Sequence, residues 1–484
     1  MKRFSTLLAI VFLFACVFTF GGCKKDAKAN LSYEINVSLD GNILSGKETV
    51  SFTNTTDNAF SVLKFNLFGN AFRKDAKFRP IAVQYENRAY YNGFSYGEMN
   101  VSKVCDKDGT LNFNVGGQDQ NILQVELREE LYPNETAQVE IEFSLTLANV
   151  IARTGINENT INLGNFYPIL CGIDGGGFYE CVYYSNGDPF FSDVADYVVK
   201  IEVDSDYVVA SGGVKKGENN KGNRKTITYE QSSARSFCMI LSKQFKVLEQ
   251  TACGTTINYY YYGDQTPENS IKVAVDSIEL FTNLFGEYPY QTFSVVETAF
   301  MQGGMEYPGI VMISDNLEPS AYREVIVHET AHQWWQSAVG NNEIEYGFLD
   351  EGLCEYSVVL FYENHPEYDM SREKLIKSSE LTYKTFCSVS DKLFGGVNTV
   401  MLRPLGEFKS EYEYVNMAYV KPCIMYDYLR TTVGEQTFFK GLKRYYKDYQ
   451  MKNATPSDLV GAFEKVGADS NGFFESFFNG KVVI

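Results

Sequence analysis

The sequence predicts a multidomain α+β protein, in which an antiparallel, β-sandwich-like domain precedes a domain of mixed α/β structure. The first observation is length, because 484 residues are enough for several domains of about 150 residues each. The second is an alternation of apolar and polar residues that dominates the first half of the chain. The third is a helical spacing of apolar residues that begins later. We place the two domains at residues 32–254 and 255–484.

Residues 1–22 read as a signal peptide, followed by a linker at 23–31. Lys2 and Arg3 precede an apolar run at 7–20, which is shorter than the roughly 20 residues of a membrane span but suits a signal peptide. Gly21-Gly22-Cys23 resembles a bacterial lipoprotein processing site, which implies cleavage before Cys23 and a lipid on its thiol. A simple secretory signal and an uncleaved anchor are the alternatives. We therefore expect an exported protein, tethered to a bacterial membrane by lipid alone and facing outside the cytoplasm.

The first domain is predicted from period-two patterns. Apolar residues alternate with polar ones at 138–147, and the segments 33–39 and 197–203 repeat this alternation. Such a period marks strands that are buried on one face. Clusters of Gly and Asn, as at 217–223, predict the turns between strands.

The second domain combines helices with strands. Pro267 opens a segment with apolar residues at helical spacing, and Gly286 closes it. A short strand is predicted at 293–297. Near the end of the chain, Thr455 and Asp458 flank Pro456 in the pattern of a capping box, which predicts another helix start.

Charge and cysteine usage restrict the function classes. The net charge of −18 disfavours nucleic acid as a partner, because nucleic-acid binding depends on basic patches. An acidic protein can instead attract cationic groups such as peptide amino termini. The ten cysteines include no C-x-x-C pair, which argues against a zinc ribbon or a redox motif. Disulfide pairing and oligomeric state do not follow from the sequence.

The chemistry is concentrated in segment 322–340, which we predict to be a helix ended by Gly340. His328 and His332 are four residues apart, so both imidazoles can face one metal ion. Glu351 follows at the start of a second predicted helix and supplies a third ligand. Three protein ligands with one open position are typical of a catalytic zinc site, and we expect one zinc ion.

Three nearby residues have competing interpretations. Glu329 follows the first ligand, so it can reach a water molecule rather than the metal. Glu355 lies one turn beyond Glu351 and competes with it as a ligand, although we favour a supporting or surface role. The third histidine of the chain, His365, is assigned no role. A chance H-E-x-x-H on a buried helix is the alternative to the whole site.

The sequence around these residues resembles that of the gluzincin aminopeptidases of the aminopeptidase N and leukotriene-hydrolase type. The resemblance covers about residues 255–470 well and the β domain loosely, and it implies a thermolysin-like catalytic domain in a short, lipoprotein-like bacterial member. Four segments carry it: 303–307 (GGMEY, like the family's G-x-M-E-N), 332–335 (HQWW), 349–352 (LDEG) and 419–421 (YVK, like Y-x-K). Tyr307 departs from the family's Asn, and Pro422 and Cys423 depart from its small residues.

The resemblance implies roles for individual residues. Glu329 is the expected general base, and Tyr419 the expected hydrogen-bond donor to the oxyanion, with Tyr412, Tyr414 and Tyr426 as nearby alternatives. Glu306 is expected to hold the substrate's α-ammonium group, while a solvated strand-edge carboxylate is the alternative.

The substrate is expected to lie along the strand that carries Glu306. Gly303, Gly304 and Met305 are assigned to substrate binding, because glycines let a peptide backbone come close. We predict a zinc aminopeptidase that acts on peptides with a free N-terminus. The alternatives are another zinc hydrolase (an endopeptidase or an epoxide hydrolase) and a surface binding lipoprotein with a relic peptidase domain.

Overall fold

The computed structural model describes residues 29–482. The predicted signal peptide, its cleavage at Cys23 and most of the predicted linker lie outside these residues. No helix between residues 29 and 482 has the length and apolar character needed to cross a membrane. The eight cysteines of this range are all free thiols.

From residue 29 to residue 245 the chain is built mainly of strands, with one short α-helix, α1 (Glu86–Ala89), and two 3-10 helices at Phe68–Phe72 and Val83–Tyr85. Its strands are β1 (Leu31–Asp40), β2 (Ile43–Thr53), β3 (Phe60–Asn66), β4 (Glu98–Asp106), β5 (Gly109–Thr110), β6 (Phe113–Gly116), β7 (Ile122–Leu131), β8 (Thr136–Thr146), β9 (Thr154–Ile156), β10 (Ile161–Leu163), β11 (Ile169–Leu170), β12 (Ile173–Asp174), β13 (Gly177–Phe178), β14 (Ala195–Asp204), β15 (Val208–Ser211), β16 (Val214–Lys221), β17 (Arg224–Ala234) and β18 (Met239–Ser242).

The largest sheet has eight strands in the order β16-β17-β14-β1-β2-β8-β4-β5, and only the β1–β14 pair is parallel. Two four-stranded sheets, β11-β3-β7-β6 and β15-β18-β10-β9, share its apolar core. The alternation at 138–147 is confirmed, since every second residue of β8 is buried. The predicted β-rich, largely antiparallel domain is thus confirmed.

One turn prediction was wrong. Residues 217–221 belong to the edge strand β16, and only Gly222 and Asn223 make the turn to β17. Backbone pairing with β17 outweighs the low strand propensity of Gly and Asn, and the polar side chains suit an exposed sheet edge.

The second part of the chain mixes helices with a smaller sheet. Its elements are β19 (Lys246–Ala252), β20 (Thr255–Tyr261), α2 (Pro267–Leu284), β21 (Thr292–Thr298), β22 (Gly304–Tyr307), β23 (Ile310–Ser314), α3 (Pro319–Ala331), β24 (Val339–Gly340), α4 (Glu343–Tyr346), α5 (Phe348–Asn364), α6 (Arg372–Phe394), α7 (Glu411–Val415), α8 (Lys421–Val433), α9 (Glu435–Tyr449), β25 (Lys452–Asn453), α10 (Pro456–Glu464) and α11 (Asn471–Phe478).

The five-stranded sheet of this part has the order β19-β20-β21-β23-β22, with β22 antiparallel at one edge. The domain boundary placed between residues 254 and 255 falls in the turn of the β19–β20 hairpin, so β19 precedes it but pairs within this sheet. The helix starts at Pro267 and Pro456 are confirmed, the latter with the full capping box of Thr455 and Asp458. The mixed α/β character is likewise confirmed.

The helix predicted to run to Gly340 ends at Ala331, with His332 as its C-cap. Trp334 is fully buried against the rings of Phe281 and Phe285, and its indole nitrogen donates to the carbonyl of Gly286 at 2.9 Å. Because of these contacts with the region of α2, the chain leaves the helical conformation after α3. Tertiary packing therefore overrides the local helical pattern.

A side-chain hydrogen bond connects the β domain to the edge strand β22. The hydroxyl of Tyr307 donates to Oδ1 of Asn165 at 2.7 Å. A side chain at Gly164 would collide with this phenol. A second contact between the two parts is made by Arg235 of the β domain, which donates to the carbonyls of Gln336 at 2.8 Å and Lys452 at 2.6 Å. The two parts of the chain therefore frame one cleft.

Candidate active site

The three predicted metal ligands meet at one point. Nε2 of His328 lies 3.1 Å from Nε2 of His332, and Oε2 of Glu351 lies 3.2 Å and 3.3 Å from these two nitrogens. Two zinc ligands at tetrahedral angles are about 3.3 Å apart, given metal–ligand distances of about 2.0–2.1 Å. The donor set and its spacing therefore fit a zinc ion.

The outer nitrogens of both histidines have partners that orient the rings. Nδ1 of His332 lies 3.1 Å from the carbonyl of Trp335, so it donates there and leaves Nε2 free to bind metal. Nδ1 of His328 lies 3.3 Å from Oε2 of Glu355. Glu355 thus contacts the far side of the His328 ring, which favours a supporting role over metal ligation.

Glu351 is a charged carboxylate at the centre of this group. Burial by itself would raise the pKa of Glu351, but His332 and His328 hold it well below the usual range. An ionised oxygen between two imidazoles is the form that a metal ion requires.

Glu329 lies beside the metal ligands with one oxygen free. It is 5% exposed, and its Oε2 has no hydrogen-bond partner among residues 29–482. Burial raises the pKa of Glu329 to about 7, although both histidines oppose this shift. A side chain at Gly304 would collide with the Glu329 carboxylate, so the glycine allows β22 to approach α3 closely. A carboxylate with this pKa is suited to proton transfer near neutral pH.

Tyr419 reaches the same centre from a π-helical turn, Asn416–Val420, between α7 and α8. Single π-helical turns are frequent at functional sites. Its ring lies 5.8 Å from that of His328. Of the three alternative tyrosines, Tyr414 also lines the cavity, whereas Tyr412 is 48% exposed to solvent. Tyr426 is fully buried in the core and does not line the cavity.

Glu306 occupies the inner end of the cleft on β22. It is 4% exposed, and its Oε1 has no hydrogen-bond partner in the part of the chain that the structure describes. Burial and the nearby charge of Asp188 raise the pKa of Glu306 well above its usual value. Such an unpaired buried carboxylate is costly unless a cation reaches it. This placement is incompatible with a solvated strand-edge carboxylate.

The other residues assigned to substrate binding divide into two groups. Gly303 and Gly304 line the cavity beside Glu306. Met305 does not line it, because its side chain packs toward Arg153, whose Nε donates to the sulfur at 2.9 Å. Alternation along a strand places neighbouring side chains on opposite faces, which explains why Met305 is separated from Glu306.

The cavity that joins these residues has a volume of about 240 Å³ and is lined by both domains. The sequence reasoning missed four charged residues in its wall: Arg153, Asp188, Glu324 and Glu411. Arg153 forms a buried ion pair with Asp188, whose carboxylate lies within 4.8 Å of oxygens of Glu306 and Glu351. Arg153 and Asp188 belong to the β domain, which only folding brings to the zinc helix. Glu324 lies on that helix one turn before His328, so its spacing is the one local signal that could have marked it.

Comparison with known proteins agrees with this geometry. Residues 269–477 match the family model described as the Peptidase family M1 domain. Aminopeptidase M1-B of Oryza sativa subsp. japonica is 26% identical over 290 residues, which cover 56% of this chain and 32% of the relative. Aminopeptidase N of Streptomyces lividans is 25% identical over 190 residues, covering 37% of this chain and 22% of the relative. The chain spans about a third or less of the length of these relatives.

The fold as a whole matches a solved structure. The M1 zinc metallopeptidase from Deinococcus radiodurans superimposes with a TM-score of 0.68 at 17% identity, over 94% of this chain and 96% of that chain. The likeness therefore extends over both the β domain and the helical part. Residues 269–477 are thus similar to a peptidase family M1 domain, and the chain shares the fold of the M1 zinc metallopeptidase from Deinococcus radiodurans.

Proposed function

We propose that this protein is a zinc-dependent aminopeptidase that hydrolyses the first peptide bond of peptides with a free N-terminus. The observation that carries the proposal is the buried, unpartnered carboxylate of Glu306 in the same cavity as the zinc ligands. A zinc ion held by His328, His332 and Glu351 would polarise the scissile carbonyl and lower the pKa of a water molecule.

The chain's own residues supply the remaining chemistry. The free oxygen of Glu329 accepts the proton of the attacking water and returns it to the leaving amine. The hydroxyl of Tyr419 donates to Oε1 of Glu351 in the structure, and during the reaction it turns to donate this hydrogen bond to the developing oxyanion. Both groups line the cavity with the histidines.

Glu306 determines which bond is cut. If it pairs with the substrate's α-ammonium group, the first carbonyl lies at the metal and later bonds stay out of reach. Arg153 and Asp188 of the β domain line the cavity next to Glu306, so a longer N-terminal extension meets the β domain there. This arrangement favours an exopeptidase over an endopeptidase or an epoxide hydrolase.

The comparisons with known proteins also support aminopeptidase activity. The relatives that match this chain carry the name aminopeptidase, and a variant of the Deinococcus radiodurans enzyme was solved bound to a Tyr-Ser-Ala substrate. The retention of Glu329 beside the metal ligands argues against a relic binding protein, because binding alone needs no general base.

The test is turnover of an aminoacyl-anilide by the purified, zinc-loaded protein, with metal content measured on the same sample. Leu-anilide is expected to be cleaved and N-acetyl-Leu-anilide is not. Glu306→Gln is expected to lower kcat/KM by at least about 100-fold with zinc still bound, because the ammonium loses its ionic partner. Full activity of Glu306→Gln, or equal cleavage of the blocked substrate, would contradict the proposal. Glu329→Gln is the inactive control.

We also propose that Cys23 tethers the protein to a membrane outside the cytoplasm. The basic Lys2 and Arg3, the apolar run at 7–20 and the small residues before Cys23 support this. Expression in a bacterium with labelled fatty acid should label the full-length chain and place it in the membrane fraction. Cys23→Ser should remove the label; label retained on Cys23→Ser would exclude this site.

A further inference from the structure

We propose that the cleft selects peptides whose second residue is lysine or arginine, through the carboxylates of Glu324 and Glu355 with Glu411 opposite. This inference rests on the proposed aminopeptidase function and adds the class of substrate. It concerns the outer part of the cavity, beyond the metal ligands as seen from Glu306.

The helices that carry the metal ligands also position these carboxylates. Glu324 lies one turn before His328 on α3, and Glu355 lies one turn after Glu351 on α5. Residues four apart on a helix share a face, so both carboxylates lie beside the zinc site. They are partly exposed, line the cavity, and are near enough for the charge of Glu355 to act on Glu324. Glu411 lines the same cavity from the start of α7.

The substrate's direction follows from the fixed points of the site. The α-ammonium group pairs with Glu306 at the buried end, and the scissile carbonyl lies at the histidines. The side chain after that bond therefore extends past His328 toward Glu324 and Glu355. A lysine or arginine has the length and charge to meet them.

Within residues 29–482, no lysine or arginine forms an ion pair with Glu324, Glu355 or Glu411, and the charged contact of Glu355 is with His328. Arg153 is the one cationic side chain among the lining residues, and it is paired with Asp188. Arg323, next to Glu324 in sequence, lies instead over the ring of Tyr368 at 4.7 Å.

The three carboxylates make few contacts of their own. Within residues 29–482, Glu355 contacts only Nδ1 of His328 among charged groups, while Glu411 accepts from the hydroxyl of Tyr85 at 2.9 Å. Burial, and then the charge of Glu355, raise the pKa of Glu324, a cost that a bound cation would relieve.

The cavity as a whole carries an excess of negative charge. Glu306 and Glu329 are each more than nine-tenths buried, and each has an unpartnered oxygen in this cavity. Zinc and the α-ammonium group account for only part of the negative charge. The lining carboxylates are Asp188, Glu306, Glu324, Glu329, Glu351, Glu355 and Glu411. An excess of one sign in a narrow cleft attracts ligands of the other sign.

The experiment compares kcat/KM for the unblocked tripeptides Leu-Lys-Ala, Leu-Gln-Ala and Leu-Glu-Ala, using the zinc-loaded protein. Leu-anilide, which lacks a second side chain, reports the basic activity. At low ionic strength Leu-Lys-Ala is expected to exceed Leu-Gln-Ala by about five- to tenfold, with Leu-Glu-Ala the poorest. The Lys:Gln ratio is expected to decrease in 0.5 M salt, because charge interactions at a partly exposed site are screened.

Two variants assign the effect to the cleft. Glu324→Gln should reduce the Lys:Gln ratio at least about threefold, and Glu324→Lys should favour Leu-Glu-Ala over Leu-Lys-Ala. Glu318→Gln is the matched control, because it removes the same charge at the exposed start of α3, outside the cavity, and should keep the ratio.

The outcomes distinguish a failure of this inference from a failure of the proposed aminopeptidase function. Cleavage of Leu-anilide with a Lys:Gln ratio of one or less would overturn the inference and leave the aminopeptidase intact. If Glu318→Gln lowers the Lys:Gln ratio as much as Glu324→Gln does, the inference is also overturned. The preference would then come from the overall charge of the protein and not from the cleft. No cleavage of the anilide or of any tripeptide would overturn the proposed function and this inference with it.

Discussion

The hydroxyl of Tyr419 donates a 2.5 Å hydrogen bond to Oε1 of Glu351, while Oε2 of the same carboxylate faces both metal-binding histidines. One oxygen of this carboxylate would therefore hold the metal, while the other positions the phenol. The π-helical turn that carries Tyr419 continues into α8, where Nζ of Lys421 donates to the carbonyls of Thr399 at 2.6 Å and Phe477 at 3.0 Å. These bonds hold the turn against the zinc helices.

Tyr419→Phe is expected to lower kcat by about 100- to 1,000-fold, because the oxyanion loses its hydrogen-bond donor. Zinc content should stay at one per chain, since all three ligands remain. Steady-state kinetics and metal analysis on one sample check this. Loss of zinc in the variant would instead show that the phenol holds Glu351 in position as a metal ligand. Tyr412→Phe, at an exposed tyrosine, is the control.

Arg153→Met is expected to destabilise the fold by about 3 kcal/mol, because Asp188 is left charged and unpaired in the interior. Adding Asp188→Asn should recover part of this loss. Chemical denaturation of the two single variants and the double variant measures the coupling. Strictly additive effects would show that the buried pair does not act as a unit.

Gly304→Ala is expected to lower kcat strongly, because the added methyl group collides with the Glu329 carboxylate and displaces the general base. Gly461→Ala is the matched control, since a side chain there meets open space on α10 and alanine favours the helix. Comparing kcat and the melting temperature of both variants separates displacement of the base from loss of folding. Unchanged kcat in Gly304→Ala would contradict the packing of β22 on α3.

The buried carboxyl group of Glu48 is expected to make the stability of the fold depend on pH. It is fully buried in β2 without hydrogen-bond partners for either oxygen in the described chain, and burial raises its pKa well above the ordinary value. The folded state therefore binds this proton more tightly than the unfolded state. The stabilisation from that proton is full below the unfolded pKa of about 4.3 and is lost as pH rises toward the folded pKa.

Glu48→Gln should remove this dependence. Relative to the variant, the native chain is expected to lose unfolding free energy between pH 4.5 and pH 7.5, as measured by chemical denaturation. The matched control is Glu34→Gln, which removes an exposed carboxylate from the neighbouring strand β1. Equal slopes for the native chain and Glu48→Gln would show that the carboxylate finds a partner.

Short-range geometry explains what could be predicted from the sequence. His328 and His332 share a helix face whatever surrounds them, and β8 shows its period of two because one face is buried. Capping at Thr455 depends only on residues within one turn. The spacing of the candidate metal ligands and the class of each domain follow from such local rules, whereas the general-base role of Glu329 was implied by the family resemblance.

Local patterns therefore suffice to predict the spacing of the candidate zinc ligands, the strand alternation and the helix starts. Tertiary packing instead sets the end of α3, because Trp334 packs against α2 from a distant part of the chain. It also brought Arg153 and Asp188 to the zinc cleft, through a domain contact that no local pattern records. Contacts between distant residues depend on the whole fold, so the composition of the cleft wall could not be read from any single segment.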